Sequence, residues 1–99
     1  MEMFASKEKD FLEIRKLAAK NKKMANYIKT ICLFRISFLR RYEEDSSIYI
    51  KKIYKIENNS RKKNEKILNC FARVKEILMT MNERELERVL RFLNSCDQE

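Results

Sequence analysis

The residues that could do chemistry in this chain are few, and their spacing excludes more than it suggests. Cys32, Cys70 and Cys96 are three in number and widely separated, which fits neither an even disulfide framework nor the close pairs of a zinc site. They read as buried thiols. The chain has no histidine, so the commonest general base and metal ligand is missing. It has no glycine either, and a phosphate-cradling loop, a dinucleotide fingerprint or a nucleophile elbow needs one. The carboxylate pairs Glu43/Glu44 and Glu83/Glu87 fall at turn or first-turn positions where capping explains them. No nucleophile stands beside a base, so the expectation is a protein without catalytic activity, cofactor, metal or small-molecule substrate.

Charge remains as the functional signal. Lysine and arginine number 23 against 15 acids, for a formal charge of +8. The excess is clustered: residues 1–23 hold seven cations and four anions, residues 24–42 four cations and no anion, and residues 58–79 six cations and two anions. Within these segments Lys20, Lys22, Lys23, Lys29, Arg40, Arg41, Arg61, Lys62 and Lys63 lie near helix ends or on polar faces. Together they form a candidate patch for phosphates, which cations neutralise with release of counterions whatever the base sequence. An acidic protein surface is the alternative partner, and a simply solvated face is the bland one. No DNA-reading motif accompanies the charge.

Arg35 is the sharper clue, because it falls in the middle of an apolar helical arc and an unpaired guanidinium in a core is costly. It requires a carboxylate such as Asp10, Glu65 or Glu76, or else a place at an interface, where arginine beside Phe34 and Phe38 is a hot-spot mixture. Leu33, on the polar side of the same wheel, and Phe92, at the edge of the last helix's stripe, mark further apolar contact area. Such surface suits a homodimer, which would double the cationic patch. Tyr27, Tyr42, Tyr49 and Tyr54 could stack bases, but at helical spacing they read first as amphipathic core edges.

These side chains must be positioned by helices. Proline is also absent and 44% of residues are apolar, so the pattern predicts a single all-α domain over residues 1–99, a compact bundle of four to five amphipathic helices. A chain of this length buries roughly two-thirds of its unfolded surface. The organising segment is Met24–Tyr42, a central helix with Met24, Tyr27, Ile28, Ile31, Cys32, Phe34, Phe38, Leu39 and Tyr42 on one side and Lys29, Thr30, Ser37, Arg40 and Arg41 on the other.

Ahead of it, Ser6 is placed to cap a helix carrying Phe11, Ile14, Leu17 and Ala18, with Asn21 suited to a left-handed end. Behind it, Glu43–Ser47 reads as a turn. Ile48–Glu57 scores both as helix and as strand, with helix favoured because no second strand exists to pair with it. Asn58–Ser60 reads as a break. A helix then starts near Asn64 with an arc of Ile67, Cys70, Phe71, Val74, Ile77, Leu78 and Met81. A capping box at Thr80–Glu83, with Asn82 as competing cap, opens a last helix over Leu86, Val89, Leu90, Leu93 and Cys96, giving a closing helical hairpin.

There is no apolar run of transmembrane length and no signal-peptide pattern in residues 1–9, so a cytoplasmic location is expected. Abundant Lys, Ile and Asn fit an AT-rich genome. The segment ILMTMNERELERVLRFLNS resembles the closing helices of small proteins from phages and mobile elements of low-GC bacteria, a resemblance that covers a fifth of the chain and assigns no site. The functional expectation is a small basic helical protein that binds nucleic acid as an accessory or regulatory factor. Its rival is an interaction module that inhibits or adapts a larger nucleic-acid machine, in the manner of an anti-defence factor.

Overall fold

The computed structural model describes residues 2–63 and 66–97, with the backbone alone for residues 2–6, 96 and 97. Five helices follow in order: α1 Glu2–Lys20, α2 Lys22–Leu39, α3 Glu43–Lys62, α4 Leu68–Leu78 and α5 Glu83–Asp97. No strand occurs among the described residues. Each of the other four helices packs on α2, which is the central helix the apolar pattern demanded. Its Met24, Tyr27, Ile28, Ile31 and Cys32 are buried with Ile14 of α1, Val74 and Leu78 of α4, and Leu86 and Val89 of α5.

The buried face of α2 is broader and more rotated than the wheel implied. Thr30 and Ser37, expected on the solvent side, are buried, whereas Phe38, Leu39 and Tyr42 are exposed. Both hydroxyls are satisfied within their own helix, Thr30 Oγ1 donating to the Asn26 carbonyl at 2.7 Å and Ser37 Oγ to the Phe34 carbonyl at 2.8 Å. Their burial therefore strands no polar group, and such small side chains let α3 approach closely. Ser37 Oγ also lies 2.9 Å from Ser46 Oγ of α3.

The turns differ from expectation for local reasons. Helix α1 starts at Glu2, so Ser6 falls inside it. Asn21 is extended (φ −166°, ψ 166°) and caps α2, its side chain accepting from the Met24 amide at 2.8 Å; a cap at the start of α2 replaces the left-handed end of α1. The left-handed residue is instead Arg41, at φ 62°. The Tyr42 amide reaches the Ser37 carbonyl (2.8 Å) and the Arg41 amide reaches that of Phe38 (3.1 Å), the pair of bonds that closes a helix around a residue usually glycine. The chain reverses there, and Glu43, Glu44 and Asp45 form the acidic first turn of α3 rather than a turn of their own.

Helix α3 resolves the ambiguity of Ile48–Glu57 and runs on through Asn58–Ser60 without a break. Ser60 is fully buried, with Lys23 Nζ 3.5 Å from its Oγ. Regular helix in α4 begins at Leu68, after Asn64 and Glu65, which lie outside the described residues. Its arc packs as read, with Phe71, Val74, Ile77, Leu78 and Met81 buried and the Phe71 ring stacked on Tyr27 at 4.1 Å. Of the competing caps Asn82 prevails: Glu85 N donates to Asn82 Oδ1 at 2.9 Å and Asn82 N to Glu85 Oε1 at 2.8 Å. Helix α5 then buries Leu86, Val89 and Leu93; the side chain of Cys96 lies outside the described residues.

Candidate nucleic-acid interface

Residues at i, i+3, i+4 and i+7 share one face of a helix. On α2 this stripe is Lys22, Ala25, Asn26 and Lys29, and it runs along the floor of a groove of about 910 Å³. Helix α1 buries Phe11, Ile14 and Leu17, which turns Leu12, Arg15, Lys16 and Ala19 toward the same groove. Helix α3 contributes Ile56 and Asn59, and α5 contributes Phe92 and Leu93. Five cations, Arg15, Lys16, Lys22, Lys23 and Lys29, thus line an apolar trough with no Asp or Glu in its walls.

The groove continues at both ends. Through Asn26, Lys29 and Ile56 it joins a depression of about 360 Å³ between α2 and α3, where Leu33 and Tyr49 meet Lys52 and Lys55, again with no carboxylate. Through Leu12, Arg15 and Phe92 it joins one of about 380 Å³ between α1 and α5, lined by Arg88 and Arg91. The single acid there, Glu8, is held by Arg88 at 3.0 Å. Two cations lie against rings: the Arg15 guanidinium is 5.8 Å from the Phe92 centroid, and Lys52 Nζ is 5.7 Å from that of Tyr49.

Several cations elsewhere on the surface are matched, although Lys9, Arg41, Lys51, Lys66 and Arg84 make no ion pair among the described residues. Arg40 Nε is 2.7 Å from Glu83 and its Nη2 3.1 Å from Glu87. Arg73 meets Glu13 and Glu76, Lys75 meets Glu57 and Lys7 meets Glu85. The bidentate hydrogen bond from Arg73 holds the Glu13 carboxyl below its ordinary value, and the bond from Arg40 does the same for Glu83. Among the described residues Arg15, Lys16, Lys22, Lys29, Lys52 and Lys55 make no ion pair.

Of the residues singled out by charge, Lys22, Lys23 and Lys29 line the groove, and Lys20 is exposed at the adjoining end of α1. Arg61, Lys62 and Lys63 are exposed at the carboxyl end of α3, which the contact between Lys23 and Ser60 sets beside the start of α2. Arg40 and Arg41 are not part of this group. They lie at the opposite end of α2, about 27 Å along the axis from Lys22, and Arg40 is neutralised by α5. Sequence reasoning missed Arg15, Lys16, Lys52 and Lys55. The net charge of residues 43–57 is −1, so the first-turn acids of α3 hid its two groove lysines; placing charges on each helical wheel would have exposed them.

Leu33, Arg35 and Phe92 do not form one surface. Leu33 and Phe92 belong to the grooves, whereas Arg35 lies beside Phe38, its guanidinium 5.9 Å from the ring centroid. Among the described residues no carboxylate partner for Arg35 is found. Neither Asp10 nor Glu76 pairs with it, Glu65 is outside the described residues, and its Nε is buried with no hydrogen-bond partner. Tyr27 is buried, Tyr49 flanks a groove, and Tyr42 and Tyr54 are exposed.

Among the described residues no three of His, Cys, Asp and Glu are grouped to hold a metal ion, and no helix is long and apolar enough to cross a membrane. No family model matches the chain, no curated protein matches its sequence, and no solved structure matches it.

Proposed function

We propose that this chain is a non-catalytic accessory or regulatory factor that binds the phosphate backbone of nucleic acid along the groove between α1, α2 and α3. The observation that carries this reading is the groove's composition: five cations and no carboxylate in its walls, whereas Arg40, Arg73 and Arg88 on other faces are each held by a glutamate. Like charges held together in a concave surface raise the local potential and concentrate polyanions. Phosphates would lie along Arg15, Lys16, Lys22 and Lys29, with the adjoining Lys52 and Lys55 and the Arg61–Lys63 end extending the track.

The test is the salt dependence of binding to labelled duplex and single-stranded oligonucleotides. Replacing Lys16, Lys22 and Lys29 by Gln removes three phosphate contacts and lowers the slope of log K against log salt by about 2 to 3. Arg40→Gln, at an already neutralised position, leaves the slope unchanged. Absence of binding at low salt refutes the proposal.

The apolar lining favours a second reading. Leu12, Ala18, Ala25, Ile56 and Phe92 between the cations would suit the acidic amphipathic face of a protein partner, as in a module that inhibits or adapts a nucleic-acid-processing complex. A stoichiometric partner recovered from the native host after nuclease treatment, and lost on Leu12→Glu, supports this reading over the first.

A further inference from the structure

The face of α2 that buries Met24, Ile28 and Ile31 continues, at helical spacing, through Arg35, Phe38 and Leu39. Here its cover runs out. Phe38 is 58% exposed, Leu39 42% and the following Tyr42 53%. Phe34 and Phe38 face each other at 6.2 Å between ring centroids, and Arg35, over the Phe38 ring, has its buried Nε without a partner. Directly after Tyr42 come Glu43, Glu44 and Asp45, all exposed and in no ion pair among the described residues. One corner of the molecule therefore holds an uncovered aromatic and aliphatic cluster with Arg35, Arg41 and three carboxylates around it that make no ion pair among the described residues.

We propose that this corner is a homodimer interface. Phe38, Leu39 and Tyr42 pack across a two-fold axis, and Arg35 of each copy meets the Glu43–Asp45 carboxylates of the other. Isologous contact needs a patch that complements itself, and the opposite charges that α2 and the first turn of α3 bring to the apolar cluster satisfy that need. Other occupants fit less well. Three carboxylates repel a polyanion, and the basic groove at the far end of α2 repels a second copy of itself. The inference stands on different residues from the groove and does not depend on what the groove binds. It leaves both grooves open, so one particle carries two of them, and a ligand long enough to reach both gains from effective concentration.

Sedimentation velocity and equilibrium from low to high micromolar concentration test it. The mass should rise from the 12.1 kDa of one chain toward twice that value. Phe38→Glu and Arg35→Glu should each raise the dimer dissociation constant at least about tenfold, the behaviour of central interface residues, with the helical circular dichroism unchanged. Leu12→Glu, in the groove, should leave it unaltered. If Phe38→Glu fails to fold, Tyr42→Glu takes its place. In a Cys70→Ser, Cys96→Ser background, Tyr42→Cys should oxidise to a covalent dimer. A monomer at every concentration overturns the proposal, as does a dimer indifferent to the corner substitutions or equally sensitive to Leu12→Glu.

Discussion

The Tyr27 hydroxyl donates a 2.6 Å hydrogen bond to the Glu57 carboxylate, which joins α2 to α3 along with the Ser37–Ser46 and Lys23–Ser60 contacts. Lys75 of α4 approaches the same carboxylate at 3.2 Å, and the Glu57 side chain is only 13% exposed. A carboxylate so covered needs both partners. Tyr27→Phe removes one, and a hydrogen bond to a buried charge is worth about 1.5–3 kcal/mol, so urea unfolding at neutral pH should report a loss in that range.

The same pair sets an alkaline dependence. Burial, and next the Glu57 carboxylate, push the Tyr27 hydroxyl well above its ordinary 10.0. Below pH 10 the phenol is protonated in both states and its contribution is intact. As pH rises further the unfolded chain loses the proton first, and stability falls by about 1.4 kcal/mol per pH unit. Unfolding free energies measured across that interval should carry this slope in the wild type and lack it in Tyr27→Phe; equal slopes would detach the effect from Tyr27.

Burial also governs one of the thiols read as buried, that of Cys32, whereas Cys70 is only half-buried. Cys32 is fully buried, and loss of solvent pushes its thiol up to about 12, so neither access nor ionisation favours attack. With Cys70 and Cys96 replaced by Ser, the remaining thiol should stay unreactive toward an aromatic disulfide reagent at pH 8 and react at once in guanidinium. Rapid labelling of the native protein would mean that α2 is not covered as described.

The parts of the fold legible in the sequence were those where apolar periodicity decides the matter: the central helix and the Phe71–Met81 arc. What periodicity could not reveal were positions settled by hydrogen bonds. Thr30 and Ser37 look like solvent residues until their hydroxyls bond back to their own helix, and the helix–strand ambiguity at Ile48–Glu57 is removed by tertiary contacts at Glu57 and Ser60. The groove was half legible. Lys22, Lys23 and Lys29 follow from one helical stripe, but Arg15, Lys16, Lys52 and Lys55 join them only once three helices are packed. Arg40 left the group because its glutamates lie 43 and 47 residues away along the chain.

Arg41 offers the last test, because the turn between α2 and α3 holds it at φ 62° in a chain that has no glycine at all. A side chain with a Cβ is strained there by roughly 1–2 kcal/mol, and glycine is not, although glycine gains freedom in the unfolded state. The two effects leave a net stabilisation of about 0.5–1 kcal/mol for Arg41→Gly. Arg41→Val should be destabilising by more than that, since a branched Cβ fits this conformation worst. Urea unfolding of both variants at fixed protein concentration measures the pair. Arg41 lies at the far end of α2 from the groove, so Arg41→Gly should also leave the salt slope of oligonucleotide binding unchanged while Lys22→Gln lowers it by about 0.9. Equal effects on that slope would mean the binding track runs the length of α2.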